Sequence, residues 1–442
     1  MVRRIEEIGK NYFLELLSRS FFQASTREKP YYVMHDLVID LAQFVSGEFC
    51  FKLEDCKRIP EKARHLAWLT NGLDDNEKFE ALVEAKSLRT LLVSSKTEKP
   101  PPTALRMNLK IGELKLSTQL RVLSFPTKRI RDPPDLGELK HLRYLDLSTT
   151  TISKLPRTCS LYNMQTLLLS RCLVLTELPE EIRKLTNLRH LDVSICPSIT
   201  KLPPRFGELT NLQMLTDFWV GEAKDSESSK ISELGRLSCL RGRLSISRLE
   251  NVGNDQQASE ANLKSKNYLC ELEFSWTTTN SNYDHALNVL ENLEPHTNLE
   301  KLTIKNYSGS KFPNWLSKVN FPNMVFLKLT DCSFCGSLPS LGNLSSLQQL
   351  YISGMNRLES VNFGSHGDGD SGNLPFRSLK ILSFIRLTRW RTLTCHSQFP
   401  SLQELTIIDC ENLIGELPDG IYEMKLSNCP KLRSPGEGMQ ID

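Results

Sequence analysis

One pattern recurs between His141 and Leu215, and it constrains the fold more than any other feature of the chain. Each copy contains L-x-x-L-x-L, then two polar residues, a small residue or a cysteine, an apolar residue and Leu-Pro. The equivalent leucines Leu145, Leu167, Leu191 and Leu215 follow one another at intervals of 22 to 24 residues. The L-x-L core has the period of a β-strand, in which alternate side chains point to the same face. Each copy is therefore predicted to supply one short strand.

A unit of this length cannot bury its own leucines, but stacked units cover the open faces of their neighbours. The interval and the pattern are typical of leucine-rich repeats. The alternative is a series of amphipathic helices with the helical period, and the strand alternation and the Leu-Pro pair at a fixed offset argue against it. The sequence predicts an α/β solenoid, a leucine-rich-repeat horseshoe, which can extend over 442 residues without one large core.

Charge and cysteine content narrow the class of protein. The 55 lysines and arginines nearly balance the 52 aspartates and glutamates, so the net charge of +3 predicts no general binding to nucleic acid or to a membrane surface. The 12 cysteines do not have the spacing of a disulfide framework. The first residues contain no apolar signal-peptide core, and no stretch has the roughly 18 apolar residues of a membrane span. We therefore expect a soluble protein of the reducing cytoplasm.

Residues 1–60 differ from the repeats. Apolar residues from Ile5 onward fall near helical spacing, and residues 31–33 have the composition of a short strand. Asp36 is expected to cap a second helix, which Gly47 ends. A helix, a short strand and a helix in so few residues predict a small winged-helix-like module.

Two segments here, IGKNYFLELLSRSFFQ and YVMHDLVIDLAQFVSGEFCFKLED, resemble the end of the NB-ARC nucleotide-binding region of plant intracellular NB-LRR disease resistance proteins. Met34, His35 and Asp36 match the MHD motif of that family. Further along, LTDFWVGE, ISELGRLSCLRGRLSISRLENV and NLKSKNYLCELEFSW are typical of its coiled-coil class. The resemblance covers nearly the whole chain. It implies a winged-helix-like module over residues 1–60 and a leucine-rich-repeat domain over residues 61–442.

The resemblance also implies a nucleotide switch. In that family the MHD histidine contacts the ADP phosphate and keeps the receptor inactive, and this role falls on His35, with Asp36 as the helix-initiating carboxylate. The family's nucleotide site lies in domains that would precede residue 1, and the chain contains no G-x-x-x-x-G-K-[ST] phosphate loop. We therefore expect no cofactor in this chain, although the full-length family binds ADP or ATP. The alternative is that these residues only cap a helix here.

Degenerate repeats extend on both sides of the regular block. Strand-like cores include ARHLAWL, SLRTLLV and QLRVLSF before it, and YLCELEF, NLEKLTI, NMVFLKL, SLQQLYI, SLKILSF, SLQELTI and IYEMKLS after it. Proline-rich, polar or glycine-rich stretches interrupt the pattern. These predict irregular loops near residues 96–108, 220–233 and 362–377.

Other chemistry finds little support in the sequence. Cys332 and Cys335 form a CxxC, but no second pair stands at zinc-ligand spacing. The cysteines are better explained by one recurrent repeat position, where a small thiol can satisfy backbone groups; its members are Cys172, Cys196, Cys332, Cys410 and Cys429. The DGDSG stretch lacks the ligand spacing of a calcium loop. The eight histidines belong to no hydrolase motif, so we expect neither a metal site nor an enzyme.

The outward positions around each L-x-L form the predicted concave face. Several are apolar or aromatic among charges, which is typical of a protein-binding surface, with a basic middle at Lys301, Lys305 and Lys328. The alternative is that variable loops cover some of them. The predicted binding residues are Tyr144, Asp146, Leu168, Arg171, His190, Asp192, Ile195, Lys301, Lys305, Phe326, Lys328, Tyr351, Glu404 and Ile408.

The resemblance implies a plant immune receptor, or a truncated form of one. Its concave face would recognise a pathogen effector or an effector-modified host protein, and its repeats would restrain the nucleotide switch of the missing NB-ARC and coiled-coil domains. Neither nucleic acid nor a membrane is an expected partner. The alternative is a nucleotide-binding signalling ATPase, which requires further sequence upstream. An extracellular receptor is disfavoured because no signal peptide or span is present.

Overall fold

The computed structural model describes most of the chain. The described residues are 5–24, 32–53, 59–70, 81–82, 84–95, 116–125, 135–156, 160–277, 282–318, 321–341, 344–361, 376–392, 399–417 and 421–433. The predicted loop near 96–108 lies outside them, as does most of the loop near 362–377.

The N-terminal module contains two helices and a two-stranded antiparallel sheet. Its elements are α1 (Ile5–Ser18), β1 (Phe22–Ala24), β2 (Tyr32–Met34) and α2 (Asp36–Ser46). Phe13 of α1 packs on Phe22 and Tyr32, with ring centroids 5.4 and 4.7 Å apart, and so fixes the helix on the hairpin. Gly47 ends α2 with φ 53°, a left-handed conformation that favours glycine. Strand β1 was not predicted.

The first half of the solenoid is an eight-stranded parallel sheet in sequential order. Its strands are β3 (Cys50–Leu53), β4 (His65–Thr70), β5 (Thr90–Ser95), β6 (Val122–Ser124), β7 (Tyr144–Asp146), β8 (Thr166–Leu168), β9 (His190–Asp192) and β10 (Met214–Leu215). The division at residues 60 and 61 stays a prediction, and the sheet itself begins earlier, because β3 already pairs with β4.

The second half is a nine-stranded parallel sheet. Its strands are β11 (Asp217–Trp219), β12 (Gly242–Ser247), β13 (Leu269–Ser275), β14 (Lys301–Lys305), β15 (Phe326–Thr330), β16 (Gln349–Ser353), β17 (Ile381–Ile385), β18 (Glu404–Ile408) and β20 (Glu423–Ser427). A small flanking pair joins β19 (Gly415–Glu416) to β21 (Leu432–Arg433). Thr216 separates the two large sheets: β10 pairs with β9, and β11 pairs with β12.

Short helices return the chain between strands. The α-helices are α3 (Asp255–Glu260), α4 (Tyr283–Asn292) and α5 (Asn314–Lys318). The 3-10 helices span Gly47–Phe49, Glu180–Lys184, Phe206–Glu208, Ile231–Arg236, Leu249–Asn251 and Leu263–Ser265. The predicted polar loop at 220–233 folds tightly rather than projecting, since Ser228 and Ser229 are buried and the Lys230 amine donates to the carbonyl of Asp225.

The core is one continuous stack of repeat leucines. Leu145, Leu167, Leu191 and Leu215 are at most 1% exposed, as the repeat pattern predicts. The predicted cysteine position is confirmed as an internal turn: Cys172 and Cys196 donate Sγ–H to the carbonyls of Leu147 and Leu169, each at 3.1 Å. Buried carbonyls need such donors when the strand ladder ends. An α/β leucine-rich-repeat solenoid following a winged-helix-like module is thus confirmed.

Candidate protein-binding face and the motif at residues 34–36

His35, rather than Asp36, is the N-cap of α2. Its Nδ1 accepts the backbone N–H of Leu37 at 3.2 Å, which satisfies one of the free donors at the helix start. Asp36 is the first helical residue, where a carboxylate interacts favourably with the helix dipole. The prediction that Asp36 caps the helix was therefore wrong by one residue, because the imidazole nitrogen takes the place of the usual side-chain oxygen.

Helix α2 has no buried residue. Its apolar side chains Leu37, Leu41, Phe44 and Val45 are between 56% and 86% exposed. Its other side, together with the first strands of the solenoid, forms a mainly apolar cleft of about 590 Å³. Met34 of β2 and Ile39 of α2 line this cleft with Phe51 and Leu92. The motif at residues 34–36 therefore stands between an open helix face and the start of the repeats.

In the first sheet, the predicted binding residues Tyr144 and His190 form one row with Thr166, and Asp146, Leu168 and Asp192 form the next. All are half-buried. The two aspartates already form local hydrogen bonds. The carboxylates of Asp146 and Asp192 each accept the backbone N–H of the residue two positions ahead, at 2.9 Å. Burial, and secondarily the charge of Asp146, raises the pKa of Tyr144. Both aspartates therefore already have part of their hydrogen-bonding capacity used within the protein.

Arg171 and Ile195 do not lie on strands. Both occupy the turn after the strand with φ near 60°, in a left-handed conformation. Equivalent turn positions in other repeats carry Asn306, Asp331, Arg386 and Asp409. The prediction that Arg171 and Ile195 belong to the strand surface needs this correction, because the strands end at Leu168 and Asp192.

In the second sheet, the remaining predicted binding residues align in three rows across the strands. Lys301 and Phe326 share the first row with Gln349 and Glu404, and Lys328 and Tyr351 share the second with Thr303. The third row contains Lys305, Thr330, Ser353, Ile385 and Ile408. The structure therefore brings these residues onto one outward face, the concave side of such a solenoid.

This face also contains an ion-pair network that was not predicted from the sequence. Arg243 contacts Glu271 at 3.2 Å and Glu273 at 3.3 Å, and Lys305 contacts Glu273 at 2.7 Å. Lys301 lies 4.0 Å from Glu271. The strand alternation in LRGRLSI and ELEF places these side chains outward. The same alternation that predicts the outward residues of the other strands would have predicted them on β12 and β13.

Asp217 stands at the start of the second sheet beside this network. Burial raises the pKa of its carboxyl to about 6, although the hydrogen bond from Thr216 and the charge of Arg243 act in the opposite direction. A cleft of about 370 Å³ opens on the next strands, between Glu273, Lys305 and Lys328. The face thus contains a polar, charged cleft beside aromatic side chains.

Within the ranges given above, no group of three or more histidine, cysteine, aspartate or glutamate residues is placed to hold a metal. Cys332 and Cys335 are buried, and Cys335 donates to the carbonyl of Gly309 at 3.1 Å. Burial raises the pKa of both thiols, which disfavours the thiolate that a metal needs. In the described part of the chain, no helix has both the length and the apolar composition of a membrane span.

Two family models match the chain. One, described as the disease resistance protein winged helix domain, matches residues 2–42, and the other, described as R13L1/DRL21 LRRs, matches residues 231–355. The RPP13-like disease resistance protein 1 of Arabidopsis thaliana is 43% identical over 94% of this chain. The chain is a homologue of plant disease resistance proteins.

Further disease resistance relatives come from Solanum bulbocastanum. RGA1 is 33% identical over 96% of this chain, and RGA2 is 32% identical over 92% of it. The match covers 41% of the length of the RPP13-like protein and 40% of each RGA protein. The chain therefore spans about two fifths of these disease resistance proteins, and the family resemblance of its winged-helix and repeat regions is confirmed.

Proposed function

We propose that the chain is the recognition and regulatory portion of a cytoplasmic plant immune receptor, and that its concave face binds a protein. The observation that carries this proposal is the face of the second sheet, where Phe326, Tyr351, Ile385 and Ile408 stand half-buried in register among charged side chains. Partly exposed aromatic and apolar residues with a polar surround are what protein interfaces use. The partner is a pathogen effector or a host protein that an effector modifies.

The same proposal gives the N-terminal module, with its motif at residues 34–36, a regulatory role. His35 caps α2, and the open apolar face of α2 offers a surface for the NB-ARC region that the family resemblance implies. Binding of a partner to the repeats would disfavour the ADP-held state by changing the packing of the N-terminal module against the nucleotide-binding region. Such coupling requires that the partner bind the two states with different affinity.

A site-specific photo-crosslinker tests the binding face. The crosslinking amino acid replaces Tyr351 on the face or, as the control, Tyr162, which is 61% exposed in the turn before β8. Both variants are expressed in plant tissue before and after infection. The proposal expects a discrete protein adduct through position 351 and none through position 162. Equal labelling at both positions, or none at position 351 in any tissue, contradicts it.

The second candidate, nucleotide binding by this chain itself, rests on the exposed position of the His35 motif. Calorimetric titration of residues 1–442 with ADP and ATP distinguishes the two, with His35→Ala as the variant and His141→Ala as the control. We expect no binding, because no described element forms a phosphate loop. Micromolar binding that only His35→Ala abolishes would favour the nucleotide-binding alternative.

A further inference from the structure

Lys328 is a half-buried cation without an ion-pair partner among the residues that the structure describes. In register it lies between Thr303 of β14 and Tyr351 of β16. Neither neighbouring strand presents a carboxylate: the outward residues are Lys301, Thr303 and Lys305 on one side and Gln349, Tyr351 and Ser353 on the other. The positive charge of Lys328 is therefore left uncompensated by both strands that flank it.

The nearest carboxylates across the sheet are already engaged. Glu273 lies two strands away, about 10 Å at ordinary strand spacing, and it is held by Arg243 and Lys305. Glu271 is held by Arg243. Strands β12 to β16 thus present four cations and two carboxylates, and the surplus charge is centred on β14 and β15.

An aromatic platform adjoins this surplus charge. The rings of Phe326 and Tyr351 pack at 5.4 Å between centroids, and the Tyr351 hydroxyl donates to the Gln349 side-chain oxygen at 3.4 Å. Both rings are half-buried, so their outer faces remain available. A cation beside two ring faces matches a ligand that carries an acid next to a flat or apolar group.

We propose that this surface, defined by Lys301, Lys305, Phe326, Lys328 and Tyr351, binds an acidic segment of the protein partner. An aspartate or glutamate of the segment pairs with Lys328, and a neighbouring aromatic or large apolar side chain packs on Phe326 and Tyr351. The inference rests on the proposed function and specifies the chemistry of its partner. Nucleic acid fits poorly, because the carboxylates Glu271 and Glu273 on β13 interrupt the row of cations that a continuous phosphate backbone would need.

The probe is a phage-displayed library of random short peptides selected on the full 442-residue chain. The strongest peptide is synthesised with a fluorophore, and its affinity is measured by anisotropy at low and high salt. The variants are Lys328→Glu, Lys328→Gln and, as a control with the same charge change, Lys184→Glu at the exposed end of a returning 3-10 helix. Circular dichroism checks folding, and Lys328→Gln decides the matter if Lys328→Glu does not fold. A single-stranded oligonucleotide serves as a counter-probe.

We expect selected peptides in which Asp or Glu adjoins Phe, Tyr, Trp or Leu. Affinity should fall about tenfold in Lys328→Glu, by less in Lys328→Gln, and hardly at all in Lys184→Glu, and it should weaken with salt. Peptides that crosslink at position 351 but lack acidic residues, or ignore Lys328→Glu, overturn the acidic-segment inference and leave the proposed function standing. Peptides that crosslink only away from the strands contradict both. Tighter binding of the oligonucleotide than of any peptide also overturns the inference.

Discussion

Helices α2 and α4 are both amphipathic, and a side chain caps each, yet only α4 is packed. Helix α4 buries Ala286, Val289 and Leu290 in the solenoid, and the Leu290 carbonyl accepts the indole N–H of Trp315 at 2.9 Å. Helix α2 buries nothing within the described part of the chain. An apolar stripe therefore shows that one face of a helix needs to be buried. The repeats bury that face of α4, which lies between two of their strands, but not that of α2, which precedes them.

The largest expected difference is between Leu290→Ala in α4 and Leu41→Ala in α2. Leu290→Ala should lower the free energy of unfolding by about 3 kcal/mol, because it removes a fully buried side chain and leaves a cavity. Leu41→Ala should change it by less than about 0.5 kcal/mol, since this side chain is 56% exposed. Urea unfolding followed by circular dichroism measures both. An equal loss for Leu41→Ala would show that α2 is covered in solution.

Lys266 tests whether buried polar groups of the solenoid are satisfied internally. It is 1% exposed, and its amine donates to the carbonyls of Leu234 and Leu237 at 2.8 and 3.0 Å. Burial lowers its pKa to about 8. The folded state therefore carries a charging penalty at pH 7 that is relieved as the pH rises from about 8 towards the unfolded pKa near 10.4.

The stability of the wild type relative to Lys266→Met should accordingly rise over that interval, by an amount on the order of 2 kcal/mol. Melting temperatures of the two proteins at pH 7, 8.5 and 10 provide the measurement. Using the difference between them cancels the titration of other lysines and of tyrosines. A difference that stays constant with pH would mean that the amine titrates normally.

Two glycines extend the comparison between solenoid and module. A methyl group on Gly354 would collide with Asp331 Oδ1, whose carboxylate pairs with Arg386 at 3.0 Å, and Gly354 has φ +65°. Gly354→Ala should therefore destabilise the chain by about 1–2 kcal/mol. Gly9 of α1 has no atom within 4 Å of an added methyl group, so Gly9→Ala should not destabilise. Chemical denaturation compares them, and equal losses would contradict the packing described for Gly354.

The smallest expected contrast concerns the two helix caps. Asn282 Oδ1 accepts the His285 N–H at 3.1 Å at the start of α4, and His35 caps α2. Asn282→Ala should cost about 1 kcal/mol of global stability, whereas His35→Ala should leave the main unfolding transition unchanged. Hydrogen exchange at the first turns of both helices reports the local effect. A shift of the main transition in His35→Ala would mean that α2 unfolds together with the repeats.

Much of the fold followed from alternation and period. The segment NLEKLTI predicted a strand at the position of β14, and the fully buried leucines Leu145, Leu167 and Leu191 are those that the repeat pattern assigns to the interior. These features are local, so a single sequence reveals them. The family resemblance was equally accessible, because the segments that carry it are continuous.

The rest depends on contacts between residues distant in the chain. Arg386 and Asp331, which form an ion pair, are 55 residues apart in the chain, and Asp331 lies directly against Gly354. The burial of Lys266, a residue type that is rarely inside, depends on two carbonyls at the end of a 3-10 helix that precedes it by about thirty positions, those of Leu234 and Leu237. Arg171 and Ile195 were placed on strands because the point where a strand ends depends on turn conformation, which composition does not specify. The partner of the concave face stays a prediction for the same reason.

Thr216 has a consequence for how this protein can be rebuilt. Its hydroxyl accepts the N–H of Val193 and its carbonyl accepts the N–H of Ser245, both at 2.9 Å, so one residue joins the two sheets. Around it the alternation slips, since Thr216 and Asp217 are both half-buried while Leu215 and Phe218 are buried. Each half therefore keeps its own reading frame of inward and outward side chains. Chimeras of related chains joined at this residue should preserve both frames, whereas a junction that omits it would lose the two hydrogen bonds that join the sheets.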